Sequence, residues 1–269
     1  MTKTVLITGS TDGIGLETAK MLAGSGHTLL VHGRSAAKLE QTEKTLTAIH
    51  GAALIETYRA DLSRISNVEA LATAVAKRHS KLDVLINNAG VYKTPNPRTP
   101  EGYDLRFIVN TVAPFVLTKR LLPLLPREGR VINLSSAAQQ PVDLDALAGR
   151  TALDDSQAYA QSKLALTMWT FHLARTLADT GPAAIAVNPA SLLATKMVKD
   201  AFGTEGNDLR VGADILVRAA TSDEFADASG RYFDNDQRRF ALPHPDALDA
   251  GKNQRLVQAI EAMLAEIDV

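Results

Sequence analysis

Short apolar runs rich in β-branched residues alternate along the chain with stretches whose apolar residues recur at helical spacing. Strict alternation of strands and helices favours βαβ units and a parallel sheet. The early runs are almost continuously apolar, as strands that are covered on both faces require. Because crossovers between parallel strands are right-handed, the simplest topology is a doubly wound α/β sheet with helices on both faces. Seven runs predict strands: Thr4–Thr8, Thr28–His32, Ala53–Tyr58, Leu82–Asn87, Arg130–Ser135, Ala183–Asn188 and Gly230–Phe233.

Length and charge limit the kind of protein that such a sheet can belong to. The chain has 269 residues, which suits a single α/β domain spanning 1–269. Its 29 Lys and Arg against 30 Asp and Glu give a net charge of −1, so no electrostatic argument supports a nucleic-acid partner or a membrane surface. No cysteine is present, which excludes disulfides, thiolate catalysis and Cys-ligated zinc, and we expect no metal site. Without a signal sequence or a run of about 18 apolar residues, we expect a cytoplasmic protein with no membrane anchor.

Local signals mark helix boundaries and long loops. The sequence Ser66-Asn67-Val68-Glu69 predicts a capping box, and Thr99-Pro100-Glu101 predicts a second helix N-terminus. Pro114 stands inside a helical pattern and predicts a kink. Residues 137–156 and 190–208 are long for loops of an α/β domain, so we expect them to form the substrate loops.

A glycine-rich turn follows the first predicted strand and precedes a helix, with the spacing Gly-x3-Gly-x-Gly. Glycines let the backbone approach a pyrophosphate, and the helix that follows offers free N–H groups. The alternative is a tight turn without a ligand, but the position between strand and helix favours a dinucleotide site. The residues expected to contact the cofactor here are Gly9, Ser10, Thr11, Asp12, Gly13 and Ile14.

The end of the second strand indicates which dinucleotide is bound. An acidic residue there would accept hydrogen bonds from the adenosine ribose, whereas this chain has Gly33, Arg34 and Ser35. The planar guanidinium of Arg34 can bind a 2′-phosphate, in a charge-assisted hydrogen bond that contributes about 1.5–3 kcal/mol. The sequence therefore favours NADP(H), with NAD(H) less favoured. The alternative is that Arg34 only covers the surface near the next helix.

A second group of polar residues has the composition of a proton-transfer site. Tyr159 and Lys163 are spaced i and i+4 on one predicted helix, and Ser136 follows the fifth strand. A cation about 5 Å from a phenol, at an effective dielectric near 20, contributes roughly 3 kcal/mol, or about two pKa units, to the phenolate. An isolated Tyr-x3-Lys is more often an ordinary helix face. Here it is accompanied by Asn88, Ala89 and Gly90 after the fourth strand and by Asn188 at the end of the sixth, all at the edge where open α/β sheets bind ligands.

Taken together and in order, these motifs resemble the short-chain dehydrogenase/reductase family over essentially the whole chain. The motifs are Thr8-Gly9-x3-Gly13-x-Gly15, Asp61, Asn87-Asn88-Ala89-Gly90, Asn110, Ser136, Tyr159-x3-Lys163 and Pro189…Thr195. The resemblance implies a single Rossmann-fold domain with a seven-stranded parallel sheet in the order 3-2-1-4-5-6-7 and an NAD(P) cofactor. Arg34, the stretch Thr99–Phe107 and Gly230–Phe233 are most similar to the retinol-dehydrogenase-like and carbonyl-reductase branch. Ala190 departs from the family pattern, which has glycine after this proline.

The resemblance also implies a role for each matching residue. Ser136 would orient a carbonyl, Tyr159 would act as the acid/base, and Lys163 would lower the pKa of the phenol and bind the nicotinamide ribose. Asn110 would support a proton relay. The remaining cofactor contacts would be Asp61 and Leu62 at the adenine, Asn88, Ala89 and Gly90 at the ribose, and Pro189, Leu193 and Thr195 near the carboxamide.

Three functions fit these residues. The first is an NADP(H)-dependent oxidoreductase that interconverts a ketone or aldehyde and the corresponding alcohol, and the second is a catalytically silent NADP-binding sensor or scaffold. The third is an oxidoreductase for a polar substrate such as a sugar. Apolar residues of the second loop favour an apolar substrate over a sugar; they are Leu192, Leu193, Met197, Val198, Ala201 and Phe202. The helix Asp155–Leu177 could form the four-helix contact of a homodimer or homotetramer, or pack alone.

Overall fold

The structure is a computed structural model that describes residues 2–195, 197–199, 203 and 205–267. Its single sheet has the strand order β3-β2-β1-β4-β5-β6-β7-β8. The strands are β1 (Thr4–Ile7), β2 (Thr28–Gly33), β3 (Ile55–Arg59), β4 (Val84–Asn87), β5 (Arg130–Leu134), β6 (Ala183–Asn188), β7 (Arg231–Asp234) and β8 (Arg239–Ala241). The first seven are parallel and lie in the predicted order, so the doubly wound α/β fold is confirmed.

The eighth strand was not predicted from the sequence. β8 runs antiparallel to β7 and adds three residues to the edge of the sheet. Its residues are exposed or half-buried, so no continuous apolar run marks it. The turn that precedes it contains Arg238 with a φ of 55°, a conformation that a sequence of polar residues does not reveal.

The two faces of the sheet are covered by different helices. Val5 and Ile7 point into the core beneath the helices Gly13–Gly24, Ala36–Thr47 and Leu209–Thr221, whereas Leu6 points into the core beneath the helices Ile65–Arg78, Asp155–Leu177 and Ala250–Ile267. This alternation explains why the strands are apolar at every position. The helices are α1 (Gly13–Gly24), α2 (Ala36–Thr47), α3 (Ile65–Arg78), α4 (Leu105–Phe107), α5 (Ala113–Leu121), α6 (Leu144–Leu147), α7 (Asp155–Leu177), α8 (Leu209–Thr221), α9 (Pro245–Leu248) and α10 (Ala250–Ile267).

Both predicted helix N-termini are displaced. α3 begins at Ile65, before the predicted capping box, and its first residue is buried in the core. Residues 99–102 form a turn in which Gly102 has a φ of 93° and donates its N–H to the carbonyl of Thr99. The helix starts only at α4, whose cap is Asp104, because this glycine conformation is incompatible with a helical turn.

A π turn interrupts the helix predicted to kink at Pro114. Residues Ile108–Val112 adopt π geometry between α4 and α5, and the N–H of Ala113 donates to the carbonyl of Ile108. Pro114 has no N–H and would clash with the carbonyl four residues earlier in a regular α-helix, so the irregularity precedes it. The span Leu105–Leu124 is long and apolar enough to cross a membrane by length and composition, but 67% of its apolar window is buried within the protein, as in a core helix.

The longest helix, α7, carries Tyr159 and Lys163. It starts with a capping box in which Asp154 accepts from the N–H of Gln157 and the side chain of Gln157 accepts from the N–H of Asp154. Every residue from 160 to 171 is buried. α9 and α10 pack on α7, in addition to β6 and the π turn, so the chain itself surrounds the centre of this helix.

Candidate active site

Register places the ends of the strands at one edge of the sheet. Ile7 pairs with Val31 and Ile86, and Asn87 pairs with Asn133. The loops that follow β1, β2, β4, β5 and β6 therefore start at the same level, at the carboxyl edge where open α/β sheets bind ligands.

The glycine loop is held by side chains from the loop after β4. The hydroxyl oxygen of Thr8 accepts from the backbone N–H groups of Asn88 and Ala89, at 3.0 and 3.1 Å. The amide of Asn88 donates to the carbonyls of Thr8 and Gly9, at 2.8 and 3.0 Å. The structure therefore uses the Asn88 side chain to fix this loop rather than leaving it free for a ribose.

Close approach of the backbone explains the glycines in this loop. Gly9 and Gly13 have φ values of 65° and 53°. A Cβ on Gly15 would lie 2.4 Å from the carbonyl oxygen of Gly9, so only glycine fits there. α1 then begins at Gly13, where Asp12 is the cap residue and also forms an ion pair with Lys38. The helix end and its N–H groups face the carboxyl edge, as a pyrophosphate site requires.

The end of β2 carries the predicted cation. Arg34 is exposed, and it pairs with no carboxylate among the residues that the structure describes. The Nε of Arg59 donates to the backbone carbonyl of Arg34 at 3.2 Å, so the Arg59 guanidinium lies against the backbone of Arg34. Ser35 caps α2 by accepting from the N–H of Lys38. Sequence analysis missed Arg59 and Lys38, because their place beside Arg34 depends on the pairing of β2 with β3 and on where α2 starts.

Asp61 and Leu62 follow β3 at the same edge. The Oδ1 of Asp61 accepts from the N–H and the hydroxyl of Ser63, at 3.0 and 2.8 Å, and Leu62 is buried. The Asp61 carboxylate thereby stabilises the turn that follows β3, and both bonds from Ser63 go to one of its two oxygens.

The predicted catalytic residues come together across β5 and α7. Ser136 and Tyr159 are half-buried, and the Ser136 hydroxyl is the side-chain hydrogen-bonding partner of the phenol. Lys163 is 4% exposed, and its ammonium lies 5.7 Å from the centroid of the Tyr159 ring. The ammonium donates to the carbonyl of Leu134 at 2.7 Å, its one acceptor among the described residues. A buried ammonium has three N–H donors, so this group retains capacity for further acceptors.

Burial shifts both pKa values in the direction of the neutral form. Burial lowers the pKa of Lys163 to about 8. Burial raises the pKa of Tyr159 above its usual range, against the opposing effect of the Ser136 hydrogen bond. The sequence predicted a lowered tyrosine pKa, and the direction in this structure is the opposite. The reason is that burial removes the phenol from water, which disfavours the charged phenolate.

Asn110 lies in the π turn and is 1% exposed. Its amide donates to the carbonyl of Val91 and to the hydroxyl of Ser162, and its oxygen accepts from the N–H of Val91. A Cβ on Gly90 would lie 3.4 Å from the Asn110 oxygen and 3.5 Å from the Lys163 nitrogen. The π turn thus ties the loop after β4 to α7, beside the lysine.

Two tyrosines that sequence analysis did not assign border the catalytic group. The ring centroids of Tyr92 and Tyr159 are 4.9 Å apart. The hydroxyl of Tyr232 donates to the carbonyl of Ser136 at 3.2 Å, and the amide of Gln139 donates to the same oxygen at 2.9 Å. Nothing in the sequence distinguished these residues, because their contacts depend on the relative positions of distant loops.

The segment after β6 approaches the glycine loop. Thr195 lies beside Gly13, where an added Cβ would be 3.6 Å from its methyl group, and Leu193 is buried against Gly212. Pro189 precedes Ala190, whose φ of 113° is a region that favours glycine. Of the predicted second loop, Ala201 and Phe202 lie outside the described residues.

The turn between β7 and β8 holds the start of this segment. The carboxylate of Asp236 accepts from the N–H and the hydroxyl of Ser191, and from the amide of Asn188. The amide of Asn235 donates to the carbonyl of Pro189 at 2.9 Å. The strained backbone at Ala190 is therefore fixed on both sides by hydrogen bonds from a neighbouring strand pair.

These residues fit a nicotinamide dinucleotide. A helix N-terminus with closely approaching glycines suits the pyrophosphate, and Arg34 is available to a phosphate. The free donors of the buried Lys163 ammonium suit ribose hydroxyls. Fold and site together define a dinucleotide-binding oxidoreductase domain with a Ser–Tyr–Lys group at the carboxyl edge of its sheet.

The sequence model of the short chain dehydrogenase family matches residues 3–206. The chain belongs to this family, in its retinol dehydrogenase-like branch. Human retinol dehydrogenase 13 is 31% identical over 276 residues, which cover 94% of this chain and 82% of that protein.

Solved structures agree with this assignment. A crystal structure of an uncharacterized protein from Mycobacterium paratuberculosis has a TM-score of 0.80 and 29% identity, and the match covers 97% of this chain and 92% of that one. Landomycin C-6 ketoreductase LanV, solved with NADP and rabelomycin bound, has a TM-score of 0.69 and 29% identity, with 87% of this chain and 94% of that one covered.

Proposed function

We propose that this chain is an NADP(H)-dependent oxidoreductase that interconverts a ketone or aldehyde and the corresponding alcohol. The observation that carries the proposal is the buried ammonium of Lys163 beside the Tyr159 ring, with Ser136 bonded to the phenol. A buried cation is costly unless its remaining donors find partners. A cofactor ribose and a reacting phenol would supply those partners. The bound NADP(H) supplies or accepts the hydride.

The protein side chains divide the proton transfer and the orientation of the substrate between them. Ser136 donates a hydrogen bond to the substrate oxygen and holds it toward the phenol of Tyr159. Tyr159 gives its proton to that oxygen during reduction and takes it back during oxidation. Lys163 stabilises the negative charge that develops on the phenol oxygen, because its ammonium is 5.7 Å from the ring in a dry site.

Other residues position these three. Asn110 keeps Val91 and Ser162 in place on either side of Lys163. Asp61 and Leu62 border the adenine position, and Leu193 and Thr195 border the carboxamide position, as the family pattern implies. Thr195 is supported in this role by its place beside Gly13.

We propose NADP(H) as the preferred cofactor. Gly33 offers no carboxylate at the end of β2, Arg34 has no carboxylate partner among the described residues, and the Arg59 side chain bonds to the backbone carbonyl of Arg34. Two guanidinium groups would attract the 2′-phosphate of NADP(H) and would disfavour the unmodified ribose of NAD(H) only weakly. The preference would therefore come from attraction of NADP(H) rather than from exclusion of NAD(H). LanV, which is 29% identical, binds NADP.

An apolar carbonyl or alcohol is the substrate class that we propose. Tyr92 borders Tyr159, and a Cβ on Gly90 would lie 3.9 Å from the terminal methyl of Met197, so aromatic and thioether groups border the site. Such groups bind apolar surface and offer few hydrogen bonds to a sugar. The human relative is named a retinol dehydrogenase, and retinol is an apolar alcohol.

The proposal is tested by assaying a panel of carbonyls and alcohols with NADPH and NADH, following the absorbance of the nicotinamide. Tyr159→Phe should retain NADPH binding, because the ring still packs, and should lose roughly 10²–10⁴-fold in kcat, because the proton donor is gone. The matched control is Tyr103→Phe, which removes a hydroxyl bonded to Glu266, away from Ser136 and Lys163. Full turnover by Tyr159→Phe would contradict the mechanism. NADPH binding without turnover on any substrate would favour the sensor hypothesis.

A further inference from the structure

One buried histidine outside the catalytic group contacts two of the segments that border the cofactor. His32, the next-to-last residue of β2, is 2% exposed. Its Nδ1 accepts from the N–H of Gly9 at 3.2 Å. Its Nε2 lies 3.2 Å from the carbonyl oxygen of Ala60, the residue before Asp61.

These two contacts specify the state of the imidazole. A backbone N–H can only donate and a carbonyl can only accept, so Nδ1 must be unprotonated and Nε2 must carry the proton. Only a neutral ring meets both conditions. Arg34 immediately after β2 and Asp61 after β3 are the charged groups that act on the ring. Burial lowers the pKa of His32 to about 4, which keeps the ring neutral at physiological pH.

The backbone of His32 strengthens the same connection. Its carbonyl accepts from the N–H of Ser10 at 3.0 Å, and its N–H donates to the Ser10 hydroxyl oxygen at 2.9 Å. The loop that leads to Gly13 and the turn that leads to Asp61 are therefore both bonded to this one residue. The imidazole adds its two ring contacts, to Gly9 and Ala60, to these backbone bonds.

We propose that His32 is a positioning residue of the cofactor site, whose imidazole holds the glycine loop at Gly9 at a fixed distance from the end of β3 at Ala60. The proposal rests on the proposed binding of NADP(H). The pyrophosphate and the adenosine bind to different segments, and affinity depends on these segments being arranged before the ligand arrives. The two ring bonds join the glycine loop to the residue before Asp61 through a single buried side chain.

Three substitutions separate the two ring contacts. His32→Asn places an amide near the former Nδ1 and can accept from Gly9, but it is too short to reach Ala60. His32→Gln extends toward Ala60 and loses the contact at Gly9. His32→Leu loses both while keeping an apolar side chain. The matched control is His50→Asn, at an exposed histidine outside the site.

The experiment measures the dissociation constant for NADP⁺ by calorimetry, and kcat and KM for NADPH with the best carbonyl of the panel. We expect His32→Leu to raise both the dissociation constant and KM for NADPH tenfold or more, with kcat within about twofold. His32→Asn should recover most of the affinity and His32→Gln little of it, since the glycine loop contacts the phosphates. His50→Asn should match the unmodified protein, and thermal unfolding without ligand confirms that each variant is folded.

Two results would overturn the proposal. One is NADP⁺ binding by folded His32→Leu with the affinity of the unmodified protein. If His32→Leu does not fold, equal affinity of folded His32→Gln and unmodified protein has the same meaning, because that variant lacks the Gly9 contact. An unmodified protein that binds no NADP⁺ would instead refute the proposed function, which separates the two failures.

Discussion

Arg34 is the residue on which the cofactor preference should depend. We predict that Arg34→Ala raises KM for NADPH and lowers kcat/KM by about ten- to a hundredfold, the equivalent of about 1.5–3 kcal/mol, while kcat/KM with NADH changes little. In the proposed binding mode, the guanidinium would contact only the 2′-phosphate, which NADH lacks. The measurement is the ratio of kcat/KM values for the two cofactors. Equal losses with both would show that Arg34 serves the fold alone.

Gly33→Asp is a poor alternative test of the same preference. A Cβ on Gly33 would lie 2.6 Å from the Thr11 methyl group. An aspartate there would displace the glycine loop as well as add a carboxylate, so its effect could not be assigned to charge. Arg59→Ala is the better companion variant, because Arg59 is exposed and donates only to a backbone carbonyl.

The lowered pKa of Lys163, about 8, predicts how the rate depends on pH. Below pH 8 the ammonium is present and supports the phenol, and above it the charge is lost. We therefore expect kcat/KM for carbonyl reduction to fall as pH rises through about 8, although Tyr159, with its raised pKa, still holds its proton there.

Measurement of kcat/KM from pH 6 to 10 tests this expectation. Lys163→Arg is the control, because a guanidinium stays charged over the whole range and its residual activity should lack the alkaline fall. A flat profile in the unmodified protein would contradict the prediction.

At the residue scale, the sequence was sufficient to predict the catalytic residues but not the residues whose importance depends on contacts between distant segments. Ser136, Tyr159 and Lys163 come together as predicted, because each is fixed by its position at a strand end or on one helix face. Arg59 and His32 were not found. Their significance depends on the register of β2 against β3, which brings Gly33 opposite Arg59, and register is not visible in a single stretch of sequence.

At the scale of elements, the segment after β6 combines strain with support. Ala190 has a φ of 113°, and the turn at Asn235 and Asp236 holds its neighbours by hydrogen bonds. We predict that Ala190→Gly raises the free energy of unfolding by about 1 kcal/mol, as relief of strain of about 1–3 kcal/mol outweighs the greater chain entropy of glycine. Denaturant unfolding measures this difference.

The control for that prediction is Ala148→Gly at the end of α6. Ala148 has a φ of −78°, so glycine relieves no backbone strain there. The substitution should lower the free energy of unfolding by roughly 0.5–1 kcal/mol. Equal destabilisation by both substitutions would show that Ala190 carries no strain.

Strands were easier to predict than helix ends for a physical reason. β1, β5 and β6 are buried on both faces, so their continuous apolar runs locate them to within a residue. The start of α3 is decided by the packing of Ile65 against the core rather than by the Ser66 cap signal. β8 is stabilised by pairing with β7 and the contact of Arg231 with the Phe240 ring, which no local pattern encodes.

At the scale of the whole molecule, the packing of α7 bears on self-association. The four-helix contact that α7 could form in a homodimer or homotetramer needs an open face on this helix. Residues 160–171 are all buried, and α9 and α10 pack against the helix. We therefore expect size-exclusion chromatography with light scattering to give the mass of one chain at micromolar concentration. A stable dimer would require another surface, and one that dissociated on substitution within α7 would contradict this account.

The π turn at Ile108–Val112 also determines how the chain tolerates changes in length. A π turn contains one residue more than the α-helix it interrupts, and each α-helical residue rotates the chain by about 100°. Deleting one residue there would remove the extra residue of the π turn and rotate α4 about the helix axis relative to α5. Asn110 would then turn away from Val91 and Ser162. A single-residue deletion in this stretch would therefore change the orientation of α4 and remove Asn110 from the site that it supports.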